Sequence, residues 1–276
     1  MAIERHYTVI PVAASILISF LLHGLDYLPV ALLFSILSTS LILVYSKKTP
    51  VMFLLIAVII AAAALLWQQY TAVILQTTGV SSALTLLLTR GNDGRSKKLS
   101  AKIETKRDVL QIMIGVIVII LAFSSDRLVV FMLVFLGFTL AYIAGQYDSN
   151  SLGFLREMER YGVVFGSGAL YLAAGTLLLL GFVHSQNFLV FSLAALFVAD
   201  SFATIAGINI SGKHKRSNSK SFVGSIAFFI VQAAFGLFLL PYYSVAFALV
   251  LALAEHYAPV DDNVFVPFIS VLLSLI

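Results

Sequence analysis

The sequence contains no cysteine. Disulfide frameworks, thiolate metal sites and cysteine nucleophiles are thereby excluded, and any metal must be held by oxygen or histidine. Charge is scarce as well: Asp, Glu, Lys and Arg make up 11% of the 276 residues, against 61% hydrophobic, and the mean hydropathy is +1.03. A water-soluble chain of this length could not bury so much apolar surface, so lipid must solvate most of it. No polar stretch is long enough for a soluble domain. An A-x-A type cleavage site is also missing behind the first apolar run, which therefore reads as a span and not as a signal peptide.

What the sequence has in abundance is apolar runs near the length of about 20 residues that a helix needs to cross a hydrocarbon layer. They lie near residues 8–22, 28–45, 51–68, 70–89, 108–124, 128–146, 161–183, 187–207, 222–240, 243–257 and 264–276. This pattern predicts an all-α, polytopic integral membrane protein with about 10–11 transmembrane helices. The weakest signals are 70–89, which Gln76 and Gly79 interrupt, and the short last run. A cytosolic N-terminus puts 16 of the 17 Lys and Arg residues on one side, with only Arg127 opposite, as the positive-inside rule requires. The net charge of +4 is divided among short loops, so it reads as an orientation signal and a contact for lipid headgroups, not as a nucleic-acid surface.

The longest polar stretch, Arg90 to Arg107, divides the chain. Residues 1–90 read as a scaffold of transmembrane helices with almost nothing polar inside them, 91–107 as a basic cytosolic connector, and 108–276 as a catalytic transmembrane domain. The connector opens on Gly91-Asn92-Asp93-Gly94, which is turn chemistry without P-loop spacing. Gly162 and Gly166 form a G-x-x-x-G pair, and Gly168 and Gly175 lie seven apart; both sets suit close helix packing or a groove for a lipid chain.

Carboxylates inside spans are costly and persist where they have a partner or a task. Asp200 and Glu255 are such groups, and the alternation of spans brings both toward the cytosolic half, where Asp261, Asp262 and Asn263 follow in a loop. Beside Asp200, Ala203, Thr204 and Gly207 fall at i+3, i+4 and i+7, a stripe that could line a polar site or simply pack. The loop from Ser211 to Ser221 then enters a helix near Phe222. Free N–H groups of its first turn, the helix dipole, Lys213, Lys215, Lys220 and the small Gly224 together suit a nucleotide phosphate. Carboxylates and phosphate on one face point to Mg²⁺, which takes oxygen ligands and bridges carboxylates to phosphates.

These residues resemble a known family. Asp200-Ser201-Phe202-Ala203-Thr204-Ile205-Ala206-Gly207, then Gly212-Lys213-His214, then Lys220-Ser221-x-x-Gly224-Ser225-x-Ala227-Phe228-Phe229, then Glu255 and Asp262-Asn263-x-x-x-Pro267 are similar in order and approximate spacing to the polyprenol kinases. That family comprises dolichol kinase, phytol kinase and CTP-dependent diacylglycerol kinases, and is related to phosphatidate cytidylyltransferase. Gly168-Ala169-Leu170-Tyr171 and the stretch from Glu104 to Arg107 look similar too, so the resemblance covers about residues 104–276. Two positions depart from it: Val223 stands where the family usually has Glu, and Ile208 where Arg commonly follows the glycine.

The resemblance implies CTP as phosphoryl donor, Mg²⁺, an isoprenoid lipid alcohol of the dolichol or polyprenol type as acceptor, and a cytosol-facing site in a cell membrane or ER-type membrane. The expected catalytic residues are Asp200, Glu255 and Asp262, and the expected metal ligands Asp200, Asp261, Asp262 and Asn263. Thr204, Gly207, Gly212, Lys213, His214, Lys215, Lys220, Ser221 and Gly224 are the expected nucleotide contacts. A cytidylyltransferase that forms a CDP-lipid is the nearest alternative. An ion-coupled transporter, with Asp200 and Glu255 as carriers, is the other; it predicts paired broken helices in two related halves, which the sequence does not display.

Overall fold

The computed structural model describes residues 2–46, 49–89, 101–146, 167–211 and 220–276. No strand occurs among them. Lipid offers the backbone no hydrogen-bonding partner, so each segment satisfies its own N–H and C=O groups as helix. In chain order these are α1 (Ala2–His23), α2 (Leu28–Ser46), α3 (Pro50–Leu66), α4 (Thr71–Thr89), α5 (Ala101–Ser124), α6 (Arg127–Gln146) and α7 (Ser167–Phe182). Then follow α8 (Gln186–Ala194), a π-helical turn (Ala195–Ala199) running directly into α9 (Asp200–Ser211), α10 (Phe222–Leu239), α11 (Ser244–Tyr257) and α12 (Asp262–Leu273). Among the described residues, five helical stretches are long and apolar enough to cross a membrane, and six shorter apolar helices accompany them. Their outer faces are greasy: Val51, Leu66 and Phe238 are 79%, 81% and 90% exposed. Apolar surface on that scale belongs against lipid.

Two stretches form the interior. The apolar windows of Gln68–Thr89 and Gln186–Ile210 are 72% and 78% buried, against 22% for those of α5 and α10. The stretch with the weakest hydropathy signal is therefore among the most central. Its two interruptions are the contacts that place it there: at Gly79 a Cβ would lie 2.9 Å from the backbone N of Leu178 on α7, and at Gly181 a Cβ would lie 2.9 Å from the backbone N of Gln76. Small residues let the two backbones meet, as they do between helices in membranes. The Gln76 amide then donates to the Gly181 carbonyl at 3.0 Å, and its oxygen meets His23 Nε2 of α1 at 2.7 Å.

Three of the four N-terminal helices, α1, α2 and α4, are more polar inside than their sequence suggests. Ser15, Ser19, Ser35, Ser38, Thr39, Thr77, Thr78, Ser81 and Thr85 are all nearly fully buried. Most return a hydrogen bond to the carbonyl four residues earlier, as Thr77, Ser81 and Thr85 do on α4. Hydroxyls satisfied in this way cost little in an apolar setting, and so they leave only a faint mark on hydropathy. Some also pair between helices: Ser15 with Ser35 at 2.6 Å, and Ser38 with Ser81.

Three boundaries differ from expectation. Helix α1 starts at Ala2, ahead of the apolar run; α5 starts at Ala101, inside the stretch read as a connector; and α12 starts at Asp262, so that Asp262 and Asn263 occupy a first helical turn and not a loop. Gly162 and Gly166 lie outside the described residues. Of the other glycine pair, Gly168 faces open space, whereas Gly175 is pressed against the Asn263 carbonyl and the Pro267 ring of α12. Pro267 has no N–H, so the Asn263 carbonyl lacks its usual helical donor there.

Candidate metal and phosphate site

The centre of the site is set by a change of helical pitch. In the turn Ala195–Ala199 the chain widens to π geometry, and the Asp200 N–H reaches back to the Ala195 carbonyl. Such single turns recur at functional sites because they re-aim the side chains that follow. Helix α5 packs flush against this turn, since Gly115 brings it onto the Phe197 side chain. One turn away on α5, the Gln111 amide donates to the Leu196 carbonyl at 3.2 Å and to Asp200 Oδ2 at 3.4 Å.

Three carboxylates converge on that position. One oxygen each from Asp200, Glu255 and Asp262 lies within 4.8 Å of the other two. Asp200 comes from the first turn of α9, Glu255 from the last turn of α11 and Asp262 from the first turn of α12. Lys220, two residues ahead of α10, reaches in between: Nζ is 2.6 Å from Glu255 Oε1 and 2.6 Å from Asp262 Oδ2. Burial opposes the charge on that ammonium, but Asp262, Glu255 and Asp200 outweigh it and hold the pKa above the ordinary lysine value. Glu255 is committed on its other side too, where Ser225 donates to Oε2 at 3.3 Å and meets His256 Nδ1 at 2.7 Å. The Ser225 hydroxyl thus joins Glu255 to His256, and which of Ser225 and His256 donates in their contact follows the imidazole tautomer.

Asp261 stands just ahead of this cluster. It is the N-cap of α12, and its Oδ1 accepts from the Asn263 backbone N at 3.2 Å and from Asn263 Nδ2 at 3.1 Å. That fixes the Asn263 amide with its Oδ1 buried and, among the described residues, without a hydrogen-bond partner. Asn263, Asp200 and Asp262 line a small recess with Ala195, Leu196 and Val266. A buried acceptor without a donor is costly, and a cation would satisfy it.

The expected nucleotide contacts divide into groups. Lys220 lies in the cluster. Ser221 is the N-cap of α10 and accepts from the Gly224 N–H at 3.0 Å. Gly224 and Gly207 are close-approach glycines, but what they approach is protein. A Cβ at Gly224 would lie 2.7 Å from the Ala203 carbonyl, and one at Gly207 would lie 2.8 Å from Ser221 Oγ. The two glycines thus let α9 and α10 cross tightly. Thr204 returns its hydroxyl to the Asp200 carbonyl at 3.2 Å. Gly212, Lys213, His214 and Lys215 lie outside the described residues.

An oxygen-only donor set fits a hard divalent cation. Oxygen ligands at neighbouring corners of an octahedral Mg²⁺ stand about 3 Å apart, so carboxylate oxygens grouped within 4.8 Å are near enough for a divalent ion to draw them together. Gln111, Ser225 and His256 are the members that the sequence reading missed, together with Asp108, a buried carboxylate paired with Arg107 at 3.1 Å. Glu104, Asp108, Gln111 and Gly115 recur at helical spacing along one face of α5.

Comparison with known proteins adds one relative. An uncharacterized protein of Methanocaldococcus jannaschii is 28% identical over 176 residues, which amount to 60% of this chain and 90% of that protein. No protein-family model and no solved structure matches the chain.

Proposed function

We propose that this chain is a multi-pass membrane enzyme that transfers the terminal phosphoryl group of CTP to the hydroxyl of an isoprenoid lipid alcohol. The observation that carries the reading is the convergence of Asp200, Glu255 and Asp262 around the Lys220 ammonium. Three carboxylates and a lysine at helix ends are the parts that phosphoryl transfer needs, since that chemistry is mostly positioning and charge neutralisation. The choice of CTP and of an isoprenoid acceptor rests on the resemblance of residues 104–276 to polyprenol kinases. The 10–11 spans, the cytosolic N-terminus and the cytosol-facing site rest on the apolar runs and on the one-sided placement of 16 of the 17 Lys and Arg residues.

Mg²⁺, when bound, neutralises charge on the β- and γ-phosphates. Asp200 and Asp262 would hold it, with Asn263 Oδ1 as a further oxygen. Glu255 is occupied on both oxygens and serves mainly to orient Lys220, which pairs with the phosphate oxygens. Asp200 keeps the most acceptor capacity, its Gln111 contact being a long 3.4 Å, and it takes the proton from the alcohol. The alcohol oxygen bonds to the γ-phosphorus, the bond from that phosphorus to the β-bridging oxygen breaks, and CDP leaves. Val223 brings no carboxylate to this site, and Ile208 no guanidinium.

The nucleotide product tests the reading. Purified protein in detergent with Mg²⁺, CTP and a panel of isoprenoid alcohols should release CDP in step with lipid monophosphate. Release of pyrophosphate with a nucleotide-linked lipid would identify a cytidylyltransferase instead.

A further inference from the structure

We infer that Lys220 is a tethered competitor for the divalent cation, so that metal enters the site only as the lysine swings out of it, most readily onto a phosphate. The inference rests on the phosphoryl-transfer reading for the identity of the phosphate and on the ion pairs alone for the competition. Lys220 Nζ lies 2.6 Å from both Glu255 Oε1 and Asp262 Oδ2. These carboxylates belong to the set whose oxygens come within 4.8 Å of one another, the only such group among the described residues. An ammonium and a divalent ion on the same oxygens repel each other strongly in a partly buried setting, so the two exclude each other.

Lys220 is free to leave. It precedes the first turn of α10, its side chain is 29% exposed, and its four-carbon stem can turn the ammonium toward solvent. Anchoring comes from elsewhere: Ser221 caps α10, and Gly224 and Gly207 lock α10 to α9. The lysine can therefore move without the helices moving. A free metal ion must then displace an ion pair to bind, whereas a metal nucleotide brings a phosphate that receives the displaced ammonium. Metal and nucleotide bind cooperatively, and the cluster stays neutralised between turnovers.

Amine labelling of the wild-type protein reads this directly. Acetylation of Lys220 by a water-soluble reagent, followed by mass spectrometry, should be slow in chelator and accelerate about tenfold or more with saturating Mn²⁺ alone. Addition of CTP with Mn²⁺ should protect the residue again. In Mn²⁺ titrations followed by electron paramagnetic resonance, Lys220→Met should bind the ion about tenfold more tightly than wild type without nucleotide and gain little when CTP is added. Labelling of Lys220 that Mn²⁺ leaves unchanged would overturn the proposal. So would equal Mn²⁺ affinity in wild type and in a folded Lys220→Met protein. Neither measurement depends on turnover, so an intact metal–lysine exchange with no phosphoryl transfer to any alcohol would count against the kinase reading alone.

Discussion

At the scale of single residues, the site is held as much by its supports as by its carboxylates. Gln111 is the clearest case, because one amide spans the π turn at Leu196 and the Asp200 carboxylate. Removing it leaves Asp200 in place but less well aimed, as outer-shell partners of metal ligands do. Gln111→Leu should weaken Mn²⁺ binding about three- to tenfold, a loss of about 1 kcal/mol, in a titration of the purified protein. Affinity equal to wild type would make the 3.4 Å contact incidental. The acidic members were legible in the sequence, since a carboxylate in an apolar run stands out against its neighbours. Gln111 and Asp108 were not, because the apolar run that holds them, from residue 108, reads as a plain span. The polar face Glu104, Asp108 and Gln111 was thus divided between a connector and a span. Ser225 was quoted only as part of a resemblance. Its link to His256 joins α10 to α11, a relation that no spacing within one helix can display.

Among the elements, glycine placement sets how closely the helices approach. Gly79 on α4 and Gly181 on α7 each admit the backbone of the other helix, and Gly175 admits α12. A side chain there must push a helix aside, at a cost of about 1–3 kcal/mol for overpacking. Gly79→Val should therefore lower the thermal unfolding midpoint in detergent, whereas Gly168→Val, at a position facing open space, should leave it nearly unchanged. Equal midpoints for the two variants would refute the seam. Hydropathy located α4 only weakly because the residues that build this seam, Gln76 and Gly79, are the ones that depress an apolar average. The buried hydroxyls of α1, α2 and α4 are faint in the sequence for the complementary reason. Ser and Thr weigh little in such an average, and their partners are carbonyls of their own helices.

For the whole molecule, composition determined the helical class, since nothing else explains so much exposed apolar surface. Orientation rests on charge and can be tested with little disturbance, because the chain has no cysteine of its own. Tyr242, at the turn between α10 and α11, and Tyr257, at the far end of α11, are 93% and 73% exposed. In intact cells a membrane-impermeant thiol reagent should label Tyr242→Cys and spare Tyr257→Cys. The reverse pattern would invert the topology and turn the carboxylate cluster away from the cytosolic nucleotide pool.

The central claim, that Asp200 and its neighbours form a phosphoryl-transfer site, meets its most direct test in one comparison. CTP labelled on the γ-phosphate is incubated with isoprenoid alcohols, Mg²⁺ and either wild-type protein or Asp200→Asn, and label in the lipid phase is counted. Wild type should transfer label, and Asp200→Asn should lose at least about a hundredfold of that rate while inserting and unfolding like wild type. Transfer by Asp200→Asn at the wild-type rate would contradict the account.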